Sequence, residues 1–178
     1  MSTSTGEQVV SGWGLSARVP TGWEGRLYLR PTPTAGFSSP QTRAAPSARA
    51  AGGGLGWAGE VPAPVLHVGN FALPGVRGDF GSGAVDTMGA RNAFVALVEF
   101  GPQEVGSALF AASPQPRPRL QEFAPGTLQI RRAGQLGYQR FFTLGEHALC
   151  LFVVLGSAGS ASPLLDEVHH LLDGVEVS

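Results

Sequence analysis

The chain has 178 residues, 43% of them hydrophobic and only 14% charged, against the roughly 25% charge of an average soluble domain. That length suits one domain with a real core and excludes two generous ones. A net charge of −1 with scattered arginines leaves no footprint for nucleic acid or an anionic membrane, and the single cysteine, Cys150, excludes a disulfide framework or a multi-cysteine zinc site.

The first ten residues, MSTSTGEQVV, read as a polar tail without the basic and apolar segments of a secretory signal, so a cytoplasmic location is the expectation. In GLSARVPTGWEGRLYLRP, Leu15, Ala17 and Val19 alternate with Ser16 and Arg18, and Arg26, Tyr28 and Arg30 alternate with Leu27 and Leu29. This period of two predicts a pair of strands around a turn at Pro20-Thr21-Gly22. Between Thr32 and Ala63 the composition shifts to Ala, Gly, Pro and Ser, with Phe37, Leu55 and Trp57 as the large apolar exceptions. Such a stretch buries too little apolar surface to offset its ordering entropy. Residues 32–63 are therefore expected to be a flexible insertion inside a single domain spanning 1–178.

PVLHVGNFALP, from Pro64 to Pro74, predicts a strand bounded by prolines, and AFVALVEF, from Ala93 to Phe100, a strand buried on both faces. A helical turn is expected near Val105 to Phe110, and GTLQIRR (126–132) reads as a short strand. GYQRFFTLGEHALCLFVVLGS predicts a hairpin turning at Gly145-Glu146. Its second half holds the longest apolar run, ALCLFVVLG, far short of a membrane span. In SPLLDEVHHLLDGVEVS, Ser162 suits an N-cap, Pro163 the first helical position and Gly174 the stop. Leu164, Leu165, Val168, Leu171 and Leu172 fall on one apolar stripe of that helix, and Val175-Glu176-Val177 adds a last strand. The prediction is an α+β fold: a mostly antiparallel β-sheet with a C-terminal helix packed on one face.

GLSARVPTGWEGRLYLRP, VLHVGNFALP with GDFGSGAVDTMG, and FFTLGEHALCLFVVLGS with LLDEVHHLLDGVEV together resemble a family of uncharacterised actinobacterial proteins, over most of the chain outside 32–63. The order of parts is also similar to Mog1/PsbP-like domains, in which a strand runs into P-x-G-W and the chain ends on a hairpin, a helix and a short strand. Pro20, Gly22 and Trp23 stand where that pattern places them. The resemblance implies a mostly non-enzymatic adaptor or assembly fold and carries over no catalytic residue.

GVRGDFGSGAVDTMG, Gly75 to Gly89, is the stretch richest in candidate chemistry. Arg77-Gly78-Asp79 spells an adhesive tripeptide, which an arginine- and glycine-rich chain also produces by chance. Asp79 and Asp86 are the metal candidates, because hard cations want several oxygens, although the spacing departs from a calcium loop. The Gly-Lys-Ser/Thr ending of a phosphate loop is absent. The structural reading is a glycine-shaped connector clamped by Phe80, Val85 and Met88, with Asp79 capping a short turn. Cys150, flanked by leucines, is expected to be a buried hydrophobe. Adjacent His169 and His170 point about 100° apart on a helix, which suits solvated polar-face residues better than a metal pair. Whether His67 and His147 meet across the sheet is left open by the sequence. No cofactor is expected. Low charge and the aromatics Trp13, Trp23, Tyr28 and Trp57, together with Arg77, point to a non-enzymatic interaction or structural module with a protein partner or self-association. A small-ligand or metal-binding domain built on Gly75–Gly89 is the alternative. A hydrolase with dispersed residues is the weaker one; it requires His67 or His147 to meet a hydroxyl and a carboxylate in a pocket.

Overall fold

The computed structural model describes residues 8–30 and 63–178. Trp57 and the stretch 32–62 of the expected insertion lie outside the described residues. In chain order the elements are β1 (Gln8–Gly12), β2 (Leu15–Val19), β3 (Glu24–Leu29), β4 (Pro64–Gly69), β5 (Ala93–Phe100), β6 (Leu136–Leu144), β7 (His147–Leu155), α1 (Ala161–Leu172) and β8 (Val175–Val177), with short 3-10 turns between them. The strands form a three-stranded sheet, β1-β2-β8, and a five-stranded sheet, β3-β4-β5-β7-β6, and every pairing is antiparallel.

The alternation of β2 becomes burial: Leu15, Ala17 and Val19 are buried while Arg18 is exposed. The type II turn at Pro20, closed by Trp23 N–H donating to the Pro20 carbonyl at 3.0 Å, carries the chain from one sheet into the other. β5 is buried on both faces over Ala93–Val98 because each face of the large sheet is covered. On one face lie α1, through Leu164, Val168 and Leu171, and the small sheet. Val65, Phe94, Ala96, Val98, Cys150 and Phe152 on the other face are covered by Leu73, Val85 and Leu128 from the connections.

β3 and β4 pair from Glu24↔Gly69 to Leu29↔Pro64, and Arg30 N–H donates to the Ala63 carbonyl at 3.0 Å. The segment ending at Arg30 and the segment starting at Ala63 therefore belong to one sheet. The hairpin at Gly145-Glu146 is closed by Leu144↔His147. Gly145 takes φ +60, the first position of a type II′ turn.

Four expectations are corrected. Part of the stretch read as a polar tail is a strand: Gln8–Gly12 forms β1, which exists because β2 supplies its ladder. The strand read over 126–132 is absent. Ala124 already exchanges hydrogen bonds with Gly137 on the outer edge of β6, and Pro125–Thr127 coil into a 3-10 turn. The turn expected near Val105 to Phe110 forms earlier, at Pro102–Glu104. Ser162 is not the helix cap: α1 starts at Ala161, reached from a 3-10 turn whose Ser160 N–H donates to the Ser157 hydroxyl at 3.2 Å. Pro163 then sits in the first turn, where its missing N–H has no intrahelical partner to lose.

Candidate interaction surface

The Gly75–Gly89 connection lies against the large sheet and is clamped by Val85, Phe80 and Met88; Phe80 meets the Phe152 ring edge-on at 5.7 Å. Gly81, at φ +77, faces the Phe94 ring so closely that any Cβ there would enter it. Val85–Thr87 form the short turn, but Asp79 does not cap it. Asp86 accepts the Gly83 N–H at 3.2 Å and pairs with Arg132 at 2.6 Å. The Asp79 carboxylate turns to the sheet instead, 3.2 Å from Arg30 Nε, and accepts the Tyr28 hydroxyl at 3.3 Å. The two candidate metal ligands thus serve separate arginine pairs.

The structure brings Tyr28, Arg77 and Asp79 together around His67, which is fully buried on β4. Arg77 Nε–H donates to His67 Nδ1 at 3.1 Å, and its guanidinium lies over the Tyr28 ring. A guanidinium keeps its protons, so Nδ1 must accept and Nε2–H donates to the Asp79 carbonyl at 2.8 Å. Burial pulls the His67 pKa from 6.5 down to about 4, helped by the Arg77 charge and opposed by the bond to Asp79. Burial and the Asp79 carboxylate likewise hold the Tyr28 hydroxyl well above its usual range. Arg77 also donates to the Pro74 carbonyl. With both ends turned inward, Arg77-Gly78-Asp79 does not project as an adhesive loop tip.

His67 and His147 do not meet: β5 lies between their strands. His147 Nδ1 is 2.9 Å from Glu99 Oε1, and its Nε2 is 3.1 Å from the Ser178 backbone oxygen. Among the described residues neither histidine is hydrogen-bonded to a hydroxyl. Cys150 is buried, and burial pushes its thiol up to about 12, the setting of an inert hydrophobe. His169 is half-buried, with Nε2 2.8 Å from the Pro118 carbonyl, whereas His170 is exposed. Among the described residues no three His, Cys, Asp or Glu side chains gather as a metal group, and no helix is long and apolar enough to cross a membrane. A cavity of about 10 Å³ under α1 and a cleft of about 30 Å³ beside Asp86 have room for little more than a water.

Two of the aromatics read as solvent-facing are partly buried: Trp23 packs on the α1 side of the core, and Tyr28 on the opposite side. Trp13 is different. It remains 55% exposed at the tip of the β1–β2 hairpin, and its φ of +50 is the only positive value at a non-glycine among the described residues. With Gly14 at φ +80 it forms a two-residue type I′ turn closed by Gly12↔Leu15. Asn, Asp and Gly favour that first position; a tryptophan there is held in a sparsely populated conformation. The turn is braced from behind. A Cβ on Gly14 would stand 2.9 Å from His147 Cε1 and from the Ser178 oxygen, and Ser178 N–H donates to the Gly14 carbonyl at 2.9 Å. The indole is therefore presented on a fixed platform.

No protein-family model, curated protein or solved structure matches the chain.

Proposed function

We propose that this chain is a non-enzymatic protein-interaction module that docks its partner through the tip of the β1–β2 hairpin. The observation that carries the reading is Trp13: a large aromatic exposed in a conformation that asparagine or glycine would occupy at lower cost. Tryptophan is enriched among the residues that dominate binding energy, because it supplies a large rigid contact area. The surroundings favour docking over chemistry. His67 is locked neutral between Arg77 and a carbonyl, Cys150 is buried, and Asp79 and Asp86 are engaged by arginines. The similarity of the order of parts to Mog1/PsbP-like domains, mostly adaptors and assembly factors, supports the same class.

The test uses the full chain and its Trp13→Asn variant as parallel immobilised baits, with the soluble full chain and a cell extract as prey. Any protein other than a second copy of the chain that the parent holds is expected to be lost on the variant by about tenfold or more. Equal retention by both baits sinks the reading.

A further inference from the structure

The strand edges differ in what guards them. The outer edge of β6 is closed by Ala124, which pairs with Gly137, and by Ala112, which bridges Thr143. β3 carries Glu24 and Arg26 along its length. β8 has only three residues, one of them Glu176. β1, with the sequence QVVSG, has five residues and no charge, and Val9 stands 65% exposed on it. Natural sheets blunt open edges with charge, proline, short length or cover, and β1 shows none of these among the described residues.

The register tells which backbone groups face outward. Arg18 N–H donates to Gly174 and Ser178 N–H to Gly14, so Gly14, Ser16 and Arg18 of the β2 ladder bond toward β8. Leu15, Ala17 and Val19 then bond toward β1, where their partners are Gly12, Val10 and Gln8. The N–H and C=O groups of Val9 and Ser11 are left pointing away from the sheet. Their spacing is self-complementary: an antiparallel copy centred on Val10 sets Val9 opposite the second copy's Ser11, and Ser11 opposite its Val9. Each pair exchanges two bonds, about four in all, and no like charges oppose one another across the twofold axis.

We infer that two copies of this chain join edge to edge through β1, fusing their three-stranded sheets into one continuous sheet across a twofold axis. This rests on the reading of the chain as an interaction module and adds to the hairpin tip a second contact, the β1 edge, whose partner is a second copy. Isologous pairing closes after two chains, so the product is a dimer and not a fibre.

Light scattering of the full chain over a micromolar concentration range tests it, with circular dichroism to confirm folding. The parent and Ser16→Lys, which adds a charge to the same face but off the edge, are expected to reach twice the 18.4 kDa of one chain. Val9→Lys and Ser11→Pro are expected to stay at one chain, since the proline removes an outward N–H and spares the β2 ladder. In the parent, the Val9 and Ser11 amides are expected to exchange at least about tenfold more slowly as concentration rises. Should Ser11→Pro misfold, Val9→Lys decides alone, because its side chain stands in solvent. A parent at 18.4 kDa throughout overturns the inference, and the bait comparison then judges the hairpin-tip reading separately. A dimer that survives both edge variants but is lost in Trp13→Asn overturns the strand pairing and leaves that reading standing. A dimer indifferent to all three overturns the strand pairing, and the bait comparison again judges the hairpin-tip reading.

Discussion

Neutral His67 sits in a site that an imidazolium would disrupt, because Nδ1 accepts from Arg77, whose charge repels a second proton there. Its pKa falls from 6.5 to about 4 on folding. Between those values the unfolded chain binds a proton that the native chain refuses, so this residue's contribution is complete above about pH 6.5 and declines as pH drops toward 4. The decline amounts to about 3 kcal/mol at most. His67→Phe keeps an aromatic ring between Tyr28 and Phe94 but cannot titrate. It is expected to cost about 1–3 kcal/mol at pH 7, by leaving the Arg77 N–H and the Asp79 carbonyl without this partner, and to flatten the acid decline. Urea midpoints from pH 7.5 to 4 check this; parallel profiles for the two proteins count against it. Trp13 carries a cost of the opposite kind, in backbone conformation. Trp13→Asn creates the preferred Asn-Gly turn and is expected to stabilise the fold by about 1 kcal/mol. For a chain of this size that is a rise in Tm of about 2–4 °C, while docking is lost. A variant that is less stable than the parent contradicts strain at this turn.

At the level of elements, β3 and β4 behave as a hairpin whose ends are already joined. Arg30 and Ala63 are hydrogen-bonded next to the Leu29↔Pro64 pair, so a two-residue turn can replace 31–62. Substituting Asn-Gly for that segment is expected to preserve the far-UV signature of the sheets and to raise stability by about 2 kcal/mol through a shorter closure. A variant that fails to fold shows that the segment supplies contacts to the domain. On α1, Leu171 is fully buried against the core, and Leu171→Ala is expected to cost about 2–5 kcal/mol in chemical denaturation; a loss under 1 kcal/mol would contradict the packing. Alternation made β2 and β3 legible, continuous apolar runs made β5 and β7 so, and the leucine stripe α1, since each sequence marks the faces it buries. β1 was hidden because only Val10 and Gly12 of its five residues are even partly shielded, and Trp13 stands where a tight turn is usually marked by Asn, Asp or Gly. GTLQIRR failed for another reason: its Leu128 is buried, but the β6 edge it would need was already taken by Ala124. Tyr28, Arg77 and Asp79 were visible as separate candidates. Their meeting around His67 depends on the β3–β4 register, set across more than thirty intervening residues, which no local pattern encodes.

For the molecule as a whole, the five-stranded sheet is shared by both apolar layers, so neither layer can open without exposing the other. Heating should therefore give one cooperative transition, and association through β1 adds mass action to it. A contact made only by folded chains raises apparent stability with concentration. Well above the dissociation constant, each tenfold increase in protein contributes about 0.7 kcal/mol per chain, half of the factor-of-ten energy, because two chains share one contact. That corresponds to a rise in Tm of about 1.5–3 °C per decade of concentration. Val9→Lys removes the contact but lies on an exposed side chain, so its Tm is expected to match the parent's at low concentration and to stay flat as concentration increases. Calorimetry at three concentrations separates the cases: parallel upward slopes for the two proteins place the association elsewhere on the surface, and a flat parent removes it.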